Sequence, residues 1–359
     1  MLTDNPRSAR PRRPHTSGQR DHSGDRPPGS VRGWQVTNHN ATYFGKTPLH
    51  ADFVYGRGSQ KLIDLLDNWV ARAMEQLCQT PNWKSTYNDT GAIDFAFVSP
   101  TSTLTLIGSL RASQDRSGRH FPFLTASTIQ RNDVRLFRYG PSVLANSYSI
   151  LSKLADSTLA GMELDRLQDK LDQLDCARDF DLTIANDPLG HFARDTTLEA
   201  LSAALGGQNT TEAIARTILA IGLLMQQLFT RGHPPIEKEL ELPLPNNAKN
   251  EYWQIAGLWL YLITAFIRNP SIELQIVLER NPARSRMLIG FNGATAHPLC
   301  TALMGYAPRE RTLCLIDPPW IDRHHSYQYG NRVLKLSSYL AQPPLSLELI
   351  VKKFREAFF

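Results

Sequence analysis

Two short segments of this 359-residue sequence hold the side chains best suited to bind an ion or a charged partner. The first runs Tyr43-Phe44-Gly45-Lys46-Thr47-Pro48-Leu49-His50-Ala51-Asp52-Phe53-Val54. Aromatic residues there bracket a Gly/Pro turn with one cation, Lys46, and one anion, Asp52. Gly45 permits backbone conformations closed to bulkier residues, and Pro48 stiffens the exit. The second runs from Gly108 to Pro122. It is an apolar stretch entering a polar turn with Arg111, Ser113, Asp115, Arg116, Ser117, Gly118 and Arg119, then returning to apolar residues at Phe121. Guanidinium forks suit carboxylates, phosphates or a partner's acidic loop. Two readings of these residues carry equal weight: a docking bend, or an Asp115–Arg116/Arg119 network that orders its own turn.

Other chemistry finds little support. Gly45-Lys46-Thr47 has the last three letters of a phosphate-binding loop, but position 40 is Asn where that loop needs glycine, and no GxGxxG, HExxH or GxSxG occurs. His324 and His325 near Asp317 and Asp322 read as solvated loop residues, because adjacent positions on a regular element point different ways. Asp165, Asp169 and Asp172 interleave with Arg166 and Lys170, the pattern of a wet helix face. The four cysteines, Cys78, Cys176, Cys300 and Cys314, are scattered without a CxxC pair. Reduced thiols are expected, with no metal and no cofactor.

The elements that must position these residues follow from periodicity. Ala41–Phe44 reads as a strand, and Leu62, Leu66, Trp69, Ala73 and Leu77 recur at helical spacing over 60–78. Strands are expected at 95–98, 104–110 and 121–126. A helical middle covers 141–176 and 211–230, then a proline-marked loop at 234–245 precedes an apolar helix at 252–267. Strands return at 272–278, 287–291 and 313–316, with a closing helix at 346–358. Strands at both ends and helices between predict an α/β layered sandwich whose mixed sheet is assembled from distant segments. The thirteen apolar residues Ile255–Ile267 would span about 20 Å as a helix, short of a ~30 Å hydrocarbon core. They read as a core helix, and no membrane insertion is expected.

Net charge is +5, yet residues 1–33 carry seven Arg against three Asp, leaving 32 basic and 31 acidic residues in the rest. That balance does not predict a nucleic-acid partner. Residues 1–38 are expected to be a disordered basic tail. No apolar stretch follows the first arginines as in a secretory signal, so a cytoplasmic location is expected.

The two segments together resemble the signature of the type VI secretion-associated TagF (ImpM) family. The matching residues are Phe44-Gly45-Lys46-Thr47-Pro48, Asp52-Phe53-Val54, Asp67-Asn68-Trp69, Trp83, and Ser113-Gln114-Asp115-Arg116-Ser117-Gly118-Arg119-His120-Phe121-Pro122. Ala51, Leu66, Ala112 and Phe123 depart from the pattern, mostly at packing positions. The resemblance implies a TagF-like α/β domain over 39–310 with a helical insertion at about 150–270, and a C-terminal extension over 311–359. It implies no enzyme, but a post-translational repressor of type VI secretion that binds the scaffold bearing a forkhead-associated domain. Lys46, Asp52, Ser113, Asp115, Arg116 and Arg119 are then the expected partner-binding residues. Gly45, Pro48, Phe53, Trp69, Gly118, Phe121 and Pro122 are the expected framework. Two other classes stay open: an enzyme or binding module for an anionic ligand, with Asp115 as acid/base and the arginines as clamps, and a structural subunit of the apparatus.

Overall fold

The computed structural model describes residues 40–230, 236–246, 250–324 and 330–359. The expectation of a disordered tail over 1–38 lies outside them, as does His325.

The N-terminal half is a strand-rich unit. Strand β1 (Ala41–Gly45) and the two-residue β2 (Val54–Tyr55) flank the first chemical segment. Helix α1 (Gln60–Leu77) and the short α2 (Trp83–Asn88) follow. Three long strands then run in succession: β3 (Ala92–Val98), β4 (Leu104–Arg111) and β5 (Phe123–Gln130). The last begins two residues later than periodicity suggests, because Pro122 has no N–H to give the ladder and Phe121 belongs to the preceding loop.

The middle is helical: α3 (Val134–Val143), α4 (Ala145–Leu159), α5 (Leu164–Asp172), α6 (Cys176–Ile184), α7 (Pro188–Asp195), α8 (Leu198–Leu205) and α9 (Thr211–Thr230). Strand β6 (Glu239–Pro243) corrects the loop expected across 234–245. Glu239, Leu240, Glu241 and Leu242 alternate with strand period, and Pro243 sits at the strand end, where a missing donor is tolerated. Helix α10 (Asn250–Thr264) leads to β7 (Leu274–Arg280), β8 (Arg286–Gly290), α11 (Ala296–Met304) and β9 (Thr312–Cys314). Helices α12 (Asn331–Leu340) and α13 (Leu347–Phe358) close the chain.

Among the described residues nine strands join one sheet, ordered β2-β1-β5-β4-β3-β7-β8-β6-β9. Neighbours are antiparallel except β6 and β9, so the sheet is mixed and built from both ends of the chain, as expected. Strand alternation sends side chains to two separate cores. Ile93, Phe95 and Phe97 of β3 meet α1 and α11, while Ala96 and Val98 meet the helical middle. Trp69 of α1 is the centre of the first core. Its ring lies 4.7 Å from Phe95 and 5.1 Å from Phe97, and its indole N–H donates to the Thr295 carbonyl at 3.1 Å.

Among the described residues one helix, α9, is long and apolar enough by composition to cross a membrane. Ile214, Ile218, Ile221 and Met225 on it are buried within the second core, the packing of an internal helix.

Buried ion pairs fasten the two halves of the sheet. Asp94 on β3 accepts from Arg280 on β7 at 2.6 Å, and Arg280 also reaches Ser152 of α4 at 2.8 Å. On the opposite face Arg286 of β8, almost wholly buried, donates to Glu279 at 2.7 Å, Glu241 at 2.8 Å and the Thr301 carbonyl at 2.8 Å. Removing one member strands its partner's charge in the interior. Asp94→Ala is therefore expected to lower unfolding free energy by about 3 kcal/mol in urea titrations. A change within about 0.5 kcal/mol would show that water reaches Arg280 and makes good the loss.

Candidate functional site

The two segments singled out by sequence meet at one end of the sheet, where β1 leaves and β5 enters. Gly45 makes the meeting possible. Its φ is +127°, and a Cβ there would lie 2.0 Å from the Pro122 carbonyl oxygen. Only glycine fits both the dihedral and the space. The chain then turns through Thr47-Pro48-Leu49-His50, closed by the His50 amide to Thr47 carbonyl bond at 3.2 Å and by a 2.7 Å contact between Thr47 Oγ1 and His50 Nδ1. The Asp52 carboxylate accepts the neighbouring Phe53 amide at 2.9 Å. Phe53 stacks on Phe44 with ring centroids 5.7 Å apart and meets Phe121 edge-on at 4.8 Å.

Asp115 ties this loop to the second. Its side chain is fully buried. One oxygen accepts the amides of Ser117 at 2.9 Å and Arg119 at 3.0 Å; the other accepts Lys46 Nζ at 2.9 Å and Arg119 Nε at 2.6 Å. Burial alone would raise this carboxyl's pKa, but the Arg119 amide, the Lys46 ammonium, the Arg119 guanidinium and the Ser117 amide together hold it well below the usual carboxylate range. Lys46 Nζ also lies 4.8 Å from the centre of the Phe53 ring, so the ammonium is flanked by a carboxylate and an aromatic face. Gly118, at φ +78°, makes the turn that points both amides at one oxygen.

Further bonds brace the pair of loops. Ser113 Oγ donates to the Lys46 carbonyl at 2.7 Å, and the Arg116 amide donates to the His50 carbonyl at 2.9 Å. Arg119 Nη2 reaches the Ala51 carbonyl at 2.6 Å. From below, the Tyr87 hydroxyl of α2 donates to the Ser113 carbonyl at 2.9 Å and accepts its amide at 2.8 Å. Burial pushes that phenol well above its usual range, so it stays a donor.

The residues expected to contact a partner therefore divide. Lys46 and Asp115 lie beneath the surface and, with the half-buried Ser113, shape it. Asp52, Arg116 and Arg119 lie on it. The Arg116 side chain has no partner among the described residues, and Arg119 remains 60% exposed despite its two bonds. Arg111 points the other way. Its guanidinium is consumed by Asp156 at 2.6 Å, Ser152 Oγ at 2.5 Å and Ser109 at 2.9 Å, so it is a strand-end anchor to α4. Beside the outward arginines stand Leu49 at 59% exposure, Tyr55 at 67% and Phe53 at 39%. Sequence reasoning passed over Leu49 and Tyr55 as contact residues. Their signal was an aliphatic and an aromatic residue in a polar, turn-rich segment.

This geometry leaves Asp115 no acid–base work. An ionised carboxylate with both oxygens engaged and no exposure has neither a proton to give nor a lone pair facing a substrate. Cavities near Tyr139 and Tyr261 (about 250 Å³), Asn40 and Asp172 (about 600 Å³) and Arg216 and Ile321 (about 260 Å³) are lined by other residues. Among the described residues no three His, Cys, Asp or Glu side chains gather as metal ligands would.

The fold and this two-loop pedestal define an α/β protein built on one mixed sheet. Residues 42–174, which include the whole pedestal, match the TagF N-terminal domain, type VI secretion system-associated. That match covers a little over a third of the chain and identifies this segment as a TagF N-terminal domain. The chain is also similar to the crystal structure of PA0076 from Pseudomonas aeruginosa PAO1, at 14% identity and a TM-score of 0.42, over 75% of this chain and 96% of that one. No curated protein matches the sequence.

Because Asp115 titrates lower folded than unfolded, its ionised form stabilises the fold above the ordinary carboxylate range, and that contribution disappears as pH falls through and below about 4. Asp115→Asn is expected to lower the thermal midpoint at neutral pH, with the gap to wild type closing as pH drops below about 4. A gap that stays constant with pH would contradict the assignment of charge to this carboxylate.

Proposed function

We propose that this chain is a non-enzymatic cytoplasmic adaptor that represses type VI secretion by binding the scaffold protein bearing a forkhead-associated domain. The match of residues 42–174 to the TagF N-terminal domain supports the secretion context. The observation that carries the docking reading is the arrangement around Asp115. A buried, ionised carboxylate fixes two loops against the sheet edge, so that Arg116, Arg119 and Asp52 are held outward beside the exposed Leu49, Phe53 and Tyr55.

Interfaces draw most of their binding energy from a few arginine and aromatic anchors surrounded by residues that exclude water. A rigid patch with two outward guanidinium groups and two exposed aromatic rings has that composition, and its backbone loses little freedom on binding. Guanidinium groups match acidic or phosphorylated loops, and a forkhead-associated domain surrounds its phosphothreonine site with loops. The pedestal thus suits the role of a cover for that face of the scaffold.

The test uses the purified full chain and the purified scaffold in calorimetry. Arg116→Glu and Leu49→Asp alter only exposed side chains, so their thermal midpoints are expected to match wild type. Each is expected to weaken binding at least about tenfold, in line with loss of an interface anchor. Wild-type binding with both variants unchanged would reject the face. Absence of binding by the wild type would reject the adaptor reading itself.

A further inference from the structure

Helices α3, α7, α10 and α13 converge on a cavity of about 250 Å³ that shares no residue with the pedestal. Its floor is apolar, made by the buried Leu189 and Leu258. Its walls carry two tyrosines, Tyr139 and Tyr261, and two carboxylates, Asp187 and Glu348. Among the described residues no basic side chain lines it. Pockets for drug-sized molecules begin at ~300 Å³, so an occupant here is small.

Local features of each element place these four groups. Helix α3 breaks at Tyr139, where φ is −153° and ψ is 38°, two residues before Pro141, which lacks the N–H a helix needs. Tyr261 lies three residues after Leu258 on α10, so both face the cavity. The two tyrosine rings meet edge to face with centroids 6.1 Å apart. Asp187 caps α7, its Oδ1 accepting the Gly190 amide at 3.2 Å. A Cβ on residue 190 would overlap that carboxylate, so glycine is what leaves it room. Glu348 stands in the first turn of α13, and its carboxylate has no partner among the described residues.

The site stays negative after its neighbours are counted. Helix N-termini offset about half a charge at each carboxylate, which leaves about one net negative charge. Arg194 comes no closer to Asp187 than 3.9 Å, with both side chains near half exposed, a contact worth little. The exposed Arg355 donates to the Tyr261 hydroxyl at 3.3 Å without lining the cavity, and Arg135 is held by both oxygens of Asp133. Burial raises the Tyr139 phenol above its usual range, with Arg135 opposing and Asp187 assisting, so the ring is neutral at neutral pH. The face of a neutral tyrosine ring attracts a cation, most strongly where water is excluded. An anion would meet two carboxylates, and a neutral guest would leave them unmatched.

We propose that this four-helix cavity binds an alkylammonium group, its nitrogen held by Asp187 and Glu348 against the rings of Tyr139 and Tyr261, its methylenes resting on Leu189 and Leu258. A small free amine and a lysine side chain both offer that chemistry. The site is independent of the docking face around Asp115, so either can fail without the other.

Ligand-observed NMR titration of the full chain tests it, with n-butylammonium as the probe and n-butanol and butyrate as its neutral and anionic counterparts. The ammonium is expected to bind with a Kd of about a millimolar, the scale for so small a ligand, and both counterparts at least about tenfold more weakly. Glu348→Gln changes only an exposed side chain, and Tyr139→Leu keeps an apolar wall without the ring face. Each is expected to weaken the ammonium by about three- to fivefold while leaving the thermal midpoint near wild type. No binding of the ammonium would overturn the proposal. So would butanol binding as tightly as the ammonium, which would make the cavity merely apolar, or both variants binding like wild type, which would place the amine elsewhere. Nα-acetyl-lysine methylamide separates the two sources: tighter binding than butylammonium supports a partner's lysine as the occupant, and weaker binding supports a free amine.

Discussion

A carboxylate sealed from water survives only if donors replace its hydration, and at Asp115 four of them do. Two are backbone amides of its own turn, one is the Lys46 ammonium from the preceding loop, and one is the Arg119 guanidinium. Three come from the turn that holds Asp115 and the fourth, Lys46, from the other segment, so a single buried charge sets the relative position of two loops far apart in sequence. Were either loop to move, a buried charge would lose its partner, which is costly. Rigidity at this edge is therefore electrostatic in origin, and of the charged side chains that supply it only Arg119 also reaches the surface.

The sheet beneath makes the arrangement worth having. Gly45 lets β1 pass within contact of Pro122, and Tyr87 grips Ser113 by both its amide and its carbonyl. Trp69, Phe95 and Phe97 fill the core behind them. The ion pair between Asp94 and Arg280 continues this support into the second half of the sheet, so the pedestal stands on nine strands and not on the five of its own half. What such a foundation supports is a surface of fixed shape. Exposed arginines and aromatic rings on a fixed surface are suited to recognition.

Much of this was legible in the residues. The strand at Ala41–Phe44, the α1 repeat centred on Trp69, and the return of strands late in the chain all followed from hydrophobic period. Gly45 was legible as a turn residue because glycine takes positive φ without strain, and Gly118 through the family motif that contains it. The inward and outward parts of the second segment were harder to tell apart. Arg111, Arg116 and Arg119 look alike in sequence, and only strand register decides that Arg111 faces α4 while Arg116 faces solvent. Lys46 and Asp115 were expected on the surface because charged side chains are mostly exposed. Their burial depends on each other, a pairing across 69 positions that no local pattern encodes. Strand β6 was obscured by its prolines, since the glutamates that alternate along it find their partners on β8 and β9 and not nearby.

The central claim is that the loops pinned by Asp115 are the surface the chain uses. Hydrogen exchange of the full chain, alone and saturated with the forkhead-associated scaffold, addresses it most directly. The account predicts that new protection concentrates at residues 47–55 and 114–120. Protection confined to the helical face formed by α9, α12 and α13, with those two loops exchanging as in the free chain, would contradict it.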